Sequence, residues 1–239
     1  MLNFYIVLAA AVLPAFVLIW YIWRRDKYQR EPVGQLVRGF LLGALSVAIA
    51  GPVEGLLQAI GIVPAQPQSW AGAIWLAFGG VAIVEEGAKL LMLWLLLRRN
   101  KYYDEMTDGI VYAVCVGMGF AAAENIGYVF SNIEMWQSIA FSRAIFSIPG
   151  HFMFAVAMGY YYSIVHFTYA SKRERRNVLL VPVLLHGIFD SLLMMAEVTP
   201  AVGGLLWFAF VIFCLTLPRM ARKKIDTLLE EDRIWKTLV

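Results

Sequence analysis

Seven apolar stretches, each near the length that a helix needs to cross a lipid hydrocarbon layer, take up most of the chain and leave short connections between them. A span needs about 20 residues, and in lipid each backbone N–H and C=O must find a partner within its own segment, which makes such a segment a helix. The stretches run Phe4 to Trp23, Gln35 to Ile62, Trp70 to Leu97, Gly109 to Phe130, Ile139 to Phe167, Val178 to Ala196 and Val202 to Leu217. The expected fold is all-α, a polytopic transmembrane helical bundle of about seven spans. Composition agrees: 61% of residues are hydrophobic and only 15% charged, which excludes an ordinary soluble domain.

The connections alternate in charge. Arg24, Arg25, Lys27 and Arg30, then Arg98, Arg99 and Lys101, then Lys172, Arg173, Arg175 and Arg176, and finally Arg219, Arg222, Lys223 and Lys224 form one set. The other set, around Pro64 to Ser69, Ser131 to Gln137 and Glu197 to Pro200, contains no Lys or Arg. The positive-inside rule then puts the N-terminus outside and the C-terminus in the cytoplasm. A net charge of +3 carried at helix ends speaks to orientation, and no nucleic-acid partner is expected. Arg24 and Arg25 follow the first stretch rather than precede it, so it reads as a retained span and not as a secretory signal. Residues 1–221 are expected to form one transmembrane domain. In 222–239, Ile225, Leu228, Leu229 and Trp235 share a helical face that Asp232 interrupts, a pattern expected of a cytoplasmic amphipathic tail lying on the inner membrane surface. Cys115 and Cys214 sit in apolar runs and read as buried thiols.

Ionisable residues inside the spans carry the functional signal. Each charged side chain at the bilayer centre costs about 2.5 to 3.5 kcal/mol on insertion scales, so intramembrane polar groups mark functional sites unless partners explain them. Glu85 and Glu86 lie mid-span, and Lys89 reaches them at i+4 and i+3. Adjacent helical positions diverge by about 100 degrees, so one carboxylate is expected to pair with Lys89 while the other faces a cavity. Glu124 and Asn125 follow Gly117, Gly119 and Ala121 to Ala123, small residues that let helices approach closely. His186 and Asp190 are one turn apart. His151 follows Pro149 and Gly150, where a local helix break is expected. Arg143 has three readings: it snorkels outward, pairs with a site carboxylate or binds substrate backbone. Glu54 reads as a packing or rim residue, and His166, beside Tyr161, Tyr162 and Tyr169, as interfacial.

Val84-Glu85-Glu86-Gly87-Ala88-Lys89 resembles the EExxK motif of the PrsW membrane proteases, and Phe120-Ala-Ala-Ala-Glu124-Asn125 their FxxxEN motif. The stretch holding Arg143, Pro149, Gly150 and His151 resembles their third motif, and His186-Gly-Ile-Phe-Asp190 the closing HxxxD. The resemblance implies an intramembrane endopeptidase whose family's best-known role is the first cut in a membrane-anchored anti-sigma factor. It also implies a multi-pass protein of the bacterial cytoplasmic membrane. The CAAX prenyl endopeptidases and their bacterial CPBP relatives are more distantly similar; this chain has Lys89, Glu124 and Asp190 where those carry Arg, His and Asn.

Peptide hydrolysis suits the same residues. Water must be deprotonated, the oxyanion stabilised and the leaving amine protonated. Glu85 or Glu86 is the candidate base, with Glu124 holding the water and His186, steered by Asp190, acting on the tetrahedral intermediate. Lys89, Asn125, Arg143 and His151 are supporting or substrate-binding candidates. A zinc-dependent version stands beside the metal-free one, with Glu124, His151 and His186 as ligands of a Zn2+ ion. The expected partners are a membrane-anchored protein substrate and the bilayer. Buried acids and histidines also mark proton-coupled carriers, and a non-catalytic membrane scaffold is the third class.

Overall fold

The computed structural model describes residues 4–238. In chain order the helices are α1 (Phe4–Arg25), α2 (Val33–Ala59), α3 (Trp70–Trp75), α4 (Ile83–Leu97), α5 (Met106–Ser131), α6 (Trp136–Ile145), α7 (Ser147–Phe167), α8 (Lys172–Val198) and α9 (Pro200–Leu238). A π-helical segment, Leu76–Ala82, joins α3 to α4, and a 3-10 turn, Ile133–Met135, precedes α6. There is no strand among the described residues. Among the described residues, six helical segments are long and apolar enough to cross a membrane, so the chain is a multi-pass integral membrane protein with an all-α fold. The stretch from Trp70 to Leu97 is helical throughout but lies outside those six. It is built as α3, the π segment and α4, and it carries Glu85, Glu86 and Lys89.

At the centre stands α5. In its most apolar window 89% of residues are buried, against 22% in α1 and 17% in α2, which marks it as the pillar on which α1, α2 and α7 pack. Small residues make this packing close. A methyl added at Gly43 would lie 1.9 Å from the Val116 carbonyl oxygen, and one at Gly119 would lie 2.0 Å from that of Phe40. The α2 and α5 backbones therefore touch directly, as the glycines and alanines of 117–123 led us to expect. Cys115 is a buried free thiol.

The basic connections gather at one end of the bundle. Arg25 pairs with Asp226, Gln29 donates to Asp104, Lys224 lies 3.9 Å from the Tyr160 ring centroid, and His166 stacks on Tyr103 at 4.6 Å. This end also corrects the expected tail. Residues 222–238 do not form a separate lipid-surface element; they continue α9, and Ala221, Ile225 and Leu228 are buried in the core shared by α1, α5 and α7, while Val239 lies outside the described residues. Asp232, which breaks the apolar stripe, accepts the Met106 N–H at 2.7 Å and the Thr107 N–H at 2.8 Å. The first turn of a helix has N–H groups without intrahelical partners and a positive dipole end, so the carboxylate finds its place there. Trp235, expected on the apolar face, is exposed.

Candidate active site

The π segment sets the direction of the charged residues that follow it. A π-bulge is one extra residue in a turn and recurs at functional sites; each added residue rotates all later side chains by about 100 degrees. Phe78, within the segment, presses on α8: a methyl at Gly187 would fall 2.3 Å from its ring. The missing side chain at Gly187 thus lets α8 close on the π segment and brings His186 to the carboxylates of α4.

Both carboxylates pair with Lys89, where one was expected to pair while the other faced a cavity; Glu85 does both, and Glu86 does not reach the cavity. Lys89 Nζ donates to Glu85 Oε2 at 3.0 Å and to Glu86 Oε1 at 2.8 Å, and stands 3.2 Å from His151 Nδ1. It also lies 3.9 Å from the centroid of the Phe120 ring. His186 from α8 places Nδ1 2.9 Å from Glu86 Oε1 and Nε2 3.2 Å from Asp190 Oδ2, the partner one turn on. Its Nε2 is 3.9 Å from Glu85 Oε2, beyond hydrogen-bond range. The imidazole stacks on Phe154 with ring centroids 5.0 Å apart. His151 Nε2 meets Glu124 Oε2 at 3.0 Å. That same oxygen accepts from Arg143 Nη2 at 2.6 Å, while Arg143 Nε donates to Asn125 Oδ1 at 2.7 Å. Asn125 in turn donates to the Ala11 carbonyl at 2.7 Å, tying the network to α1. Of the three readings of Arg143, pairing with a site carboxylate is the arrangement found.

The partners distinguish the two imidazoles. An ammonium only donates, so His151 Nδ1 accepts from Lys89 and its Nε2 carries the proton given to Glu124. His186 faces a carboxylate at each nitrogen, an arrangement in which both nitrogens donate.

A cavity of about 740 Å³ opens over this cluster. Glu85, Glu124, Arg143, His151, His186 and Asp190 line it, whereas Glu86 and Lys89 are sealed behind. Leu193, Ala196, Glu197, Gly203 and Trp207 line its far side, so the cavity extends towards the end opposite the basic connections. Glu54 from α2 also borders it. No motif pointed to Glu54 or Phe154; the available signal for Phe154 was its spacing of three from His151, which puts both on one face of α7. The helix break expected at Pro149 and Gly150 occurs earlier, at Phe146 between α6 and α7, and His151 lies in the second turn of a regular helix.

Glu85, Glu86, His151 and His186 each offer a ligand atom, all within 4.8 Å of one another and all buried. The set differs from the expected Glu124, His151 and His186 because Glu124 is turned to Arg143. Two imidazoles and two carboxylates fit the donor chemistry of zinc, and the Lys89 ammonium lies within hydrogen-bond distance of three of these groups, so an ion there would have to displace it.

The description PrsW family intramembrane metalloprotease matches residues 31–217. Proteins named Protease PrsW from Clostridioides difficile and Geobacillus kaustophilus are 35% and 34% identical, covering 89% and 80% of both chains respectively. The Protease PrsW of Bacillus subtilis is 31% identical over 78% of this chain and 82% of its own. No solved structure matches. With its motifs drawn into one buried cluster and a family match over most of its length, the chain belongs to the PrsW family of intramembrane metalloproteases.

Proposed function

We propose that the cavity hydrolyses a peptide bond of a membrane-anchored protein, with Glu85 as the general base. The observation that carries this reading is the pair Glu85 and His186. Both line the cavity, and 3.9 Å separates their facing atoms, too far to satisfy each other and close enough to act on one water and one carbonyl. A positioned general base contributes typically 10²- to 10⁴-fold. Glu85 takes the proton of the attacking water. Lys89, held by Glu86, keeps the Glu85 carboxylate aimed at the cavity. His186, oriented by Glu86 and Asp190, donates from Nε2 to the developing oxyanion and then to the leaving amine. Glu124 sits beside the water's approach, held by Arg143 and His151.

In the metal-dependent version Glu86, His151 and His186 would hold a zinc ion and leave Glu85 as the base, and His186 would then be a ligand in place of its proton-donor role. When bound, such an ion lowers the pKa of water and polarises the scissile carbonyl. The family description supports the metal-dependent version. The substrate class implied by the resemblance is a membrane-anchored anti-sigma factor, the bacterial relatives support a place in the cytoplasmic membrane, and the positive-inside rule turns the basic end inward.

The test is reconstitution with a single-pass reporter, comparing wild type with Glu85→Gln and His186→Ala. Loss of cleavage in both is the expected result, and undiminished cleavage in both refutes the assignment. Chelation and add-back on the purified protein then decide the metal: full activity with no bound metal removes zinc from the scheme.

A further inference from the structure

The walls of the cavity are not equally closed. Up to Ala50, which is 1% exposed and packs with Ala88 and Phe120, α2 is held against the bundle. Beyond it Gly51, Pro52, Val53, Gly55 and Leu56 are exposed. A methyl added at Gly51 or Gly55 would meet no atom within 4 Å, in contrast to the backbone clashes at Gly43 and Gly119. Val47, Ala50, Gly51 and Glu54 nevertheless form one side of the cavity, and Tyr128, Ser142 and Arg143 are part of its lining from α5 and α6. The packing partners of α2 are α5, α4 and the π segment, while α6 packs on α7, α1 and α5. The cavity therefore has a seam between the outer third of α2 and α6. Apolar side chains exposed on the two helices, Val53 and Leu56 on one and Phe141 and Ile145 on the other, are suited to lipid contact.

We propose that this outer third of α2 is the docking surface for the transmembrane helix of the substrate, which passes from lipid into the cavity across Gly51 and Gly55. The inference rests on the reading above that the cavity cuts a membrane-anchored chain. Such a substrate reaches Glu85 with its backbone inside a lipid-embedded helix, so it needs a wall that its backbone can approach. Gly51 and Gly55 lie one turn apart on the same helix face, and small residues at that spacing permit close contact between membrane helices. Pro52 adds to this, because it has no N–H to give the Ala48 carbonyl, which leaves an acceptor on the same side. The surface is continuous with the catalytic cavity, and that continuity selects a substrate helix over a second copy of this chain as its occupant.

The test uses the full-length Glu85→Gln protein in liposomes with a single-pass reporter whose transmembrane helix has a Gly/Ala-rich face. A photo-crosslinking p-benzoylphenylalanine is placed at position 51 or 55, and for comparison at the exposed positions 6 and 13 of α1 and 215 of α9. Crosslinks from 51 and 55 are expected to exceed those from the comparison positions by about tenfold and to map within the reporter's transmembrane helix. Equal yields from all positions, or none from 51 and 55, would overturn the proposal. Cleavage by the wild type in the same liposomes is read separately. Cleavage without crosslinks at 51 and 55 defeats the docking surface alone, whereas crosslinks there without cleavage uphold the surface and defeat the protease reading. As a second measurement, Gly55→Trp should lower reporter cleavage by about tenfold while Ile6→Trp leaves it unchanged; equal effects of the two would also count against the surface.

Discussion

Glu85 and Glu86 are neighbours in the chain, yet one borders the cavity and the other is sealed behind it, so amide substitutions should separate their roles. Glu85→Gln is expected to reduce kcat by about 10²- to 10⁴-fold with little change in KM, measured with a single-pass reporter in liposomes. Lys89 raises a different question, because it is the cation shared by two buried carboxylates. Lys89→Met leaves Glu85 without its cation and Glu86 with His186 alone, and removing one partner of a buried pair costs about 3–5 kcal/mol; a lowered unfolding midpoint in detergent is the expected result. At this scale the contacts within one turn were legible in the sequence. The meeting of His186 with Asp190 and the reach of Lys89 to both Glu85 and Glu86 follow from helical spacing alone, whereas the pairing of both carboxylates with Lys89 does not. The bond between His186 and Glu86 joins residues 100 positions apart. It depends on the π segment and on Gly187 yielding to Phe78, neither of which leaves a periodic trace.

The close approach of α2 and α5 makes a prediction at the level of elements. Val at Gly43 places its first added carbon against the Val116 carbonyl, and overpacking costs typically about 1–3 kcal/mol. Gly43→Val should therefore lower the unfolding midpoint, whereas Gly34→Val, where nothing lies within 4 Å, should not. The spans themselves were legible because lipid leaves a segment no alternative to a helix. The second half of α9 was not, since an apolar stripe such as Ile225 and Leu228 suits a lipid surface as well as a protein one. Asp232 decided between them, and in the sequence it read only as an interruption. Asp232→Ala removes three hydrogen bonds from the first turn of α5, two from backbone N–H groups and one from the Thr107 hydroxyl, and loss of such a cap costs about 0.5–2 kcal/mol. Faster hydrogen exchange at Met106 and Thr107 is the measurement that checks it.

Across the whole molecule, buried carboxylates gather at the basic end as well as at the active site. Burial first, with Glu105 nearby, pushes Asp26 from 3.8 to about 6. Burial, with Asp26 and Asp104 adding to it against a hydrogen bond with Asp108, pushes Glu31 from 4.5 to about 8; Glu31 also accepts from the Tyr112 hydroxyl. A raised folded-state pKa means that the folded form holds more protons than the unfolded form, so stability falls as pH rises. The unfolding midpoint should decline between the ordinary carboxylate range and about pH 8, and Glu31→Gln should flatten the upper part of that decline. The sequence hid this cluster because its members come from the α1–α2 connection, the start of α5 and the end of α9. Asp232 lies 126 positions after the Met106 amide that it accepts. During translation the Met106 and Thr107 amides can meet the Asp232 carboxylate only once the distal part of α9 has been made. A chain cut short before Asp232 therefore lacks the carboxylate that closes the first turn of its central helix.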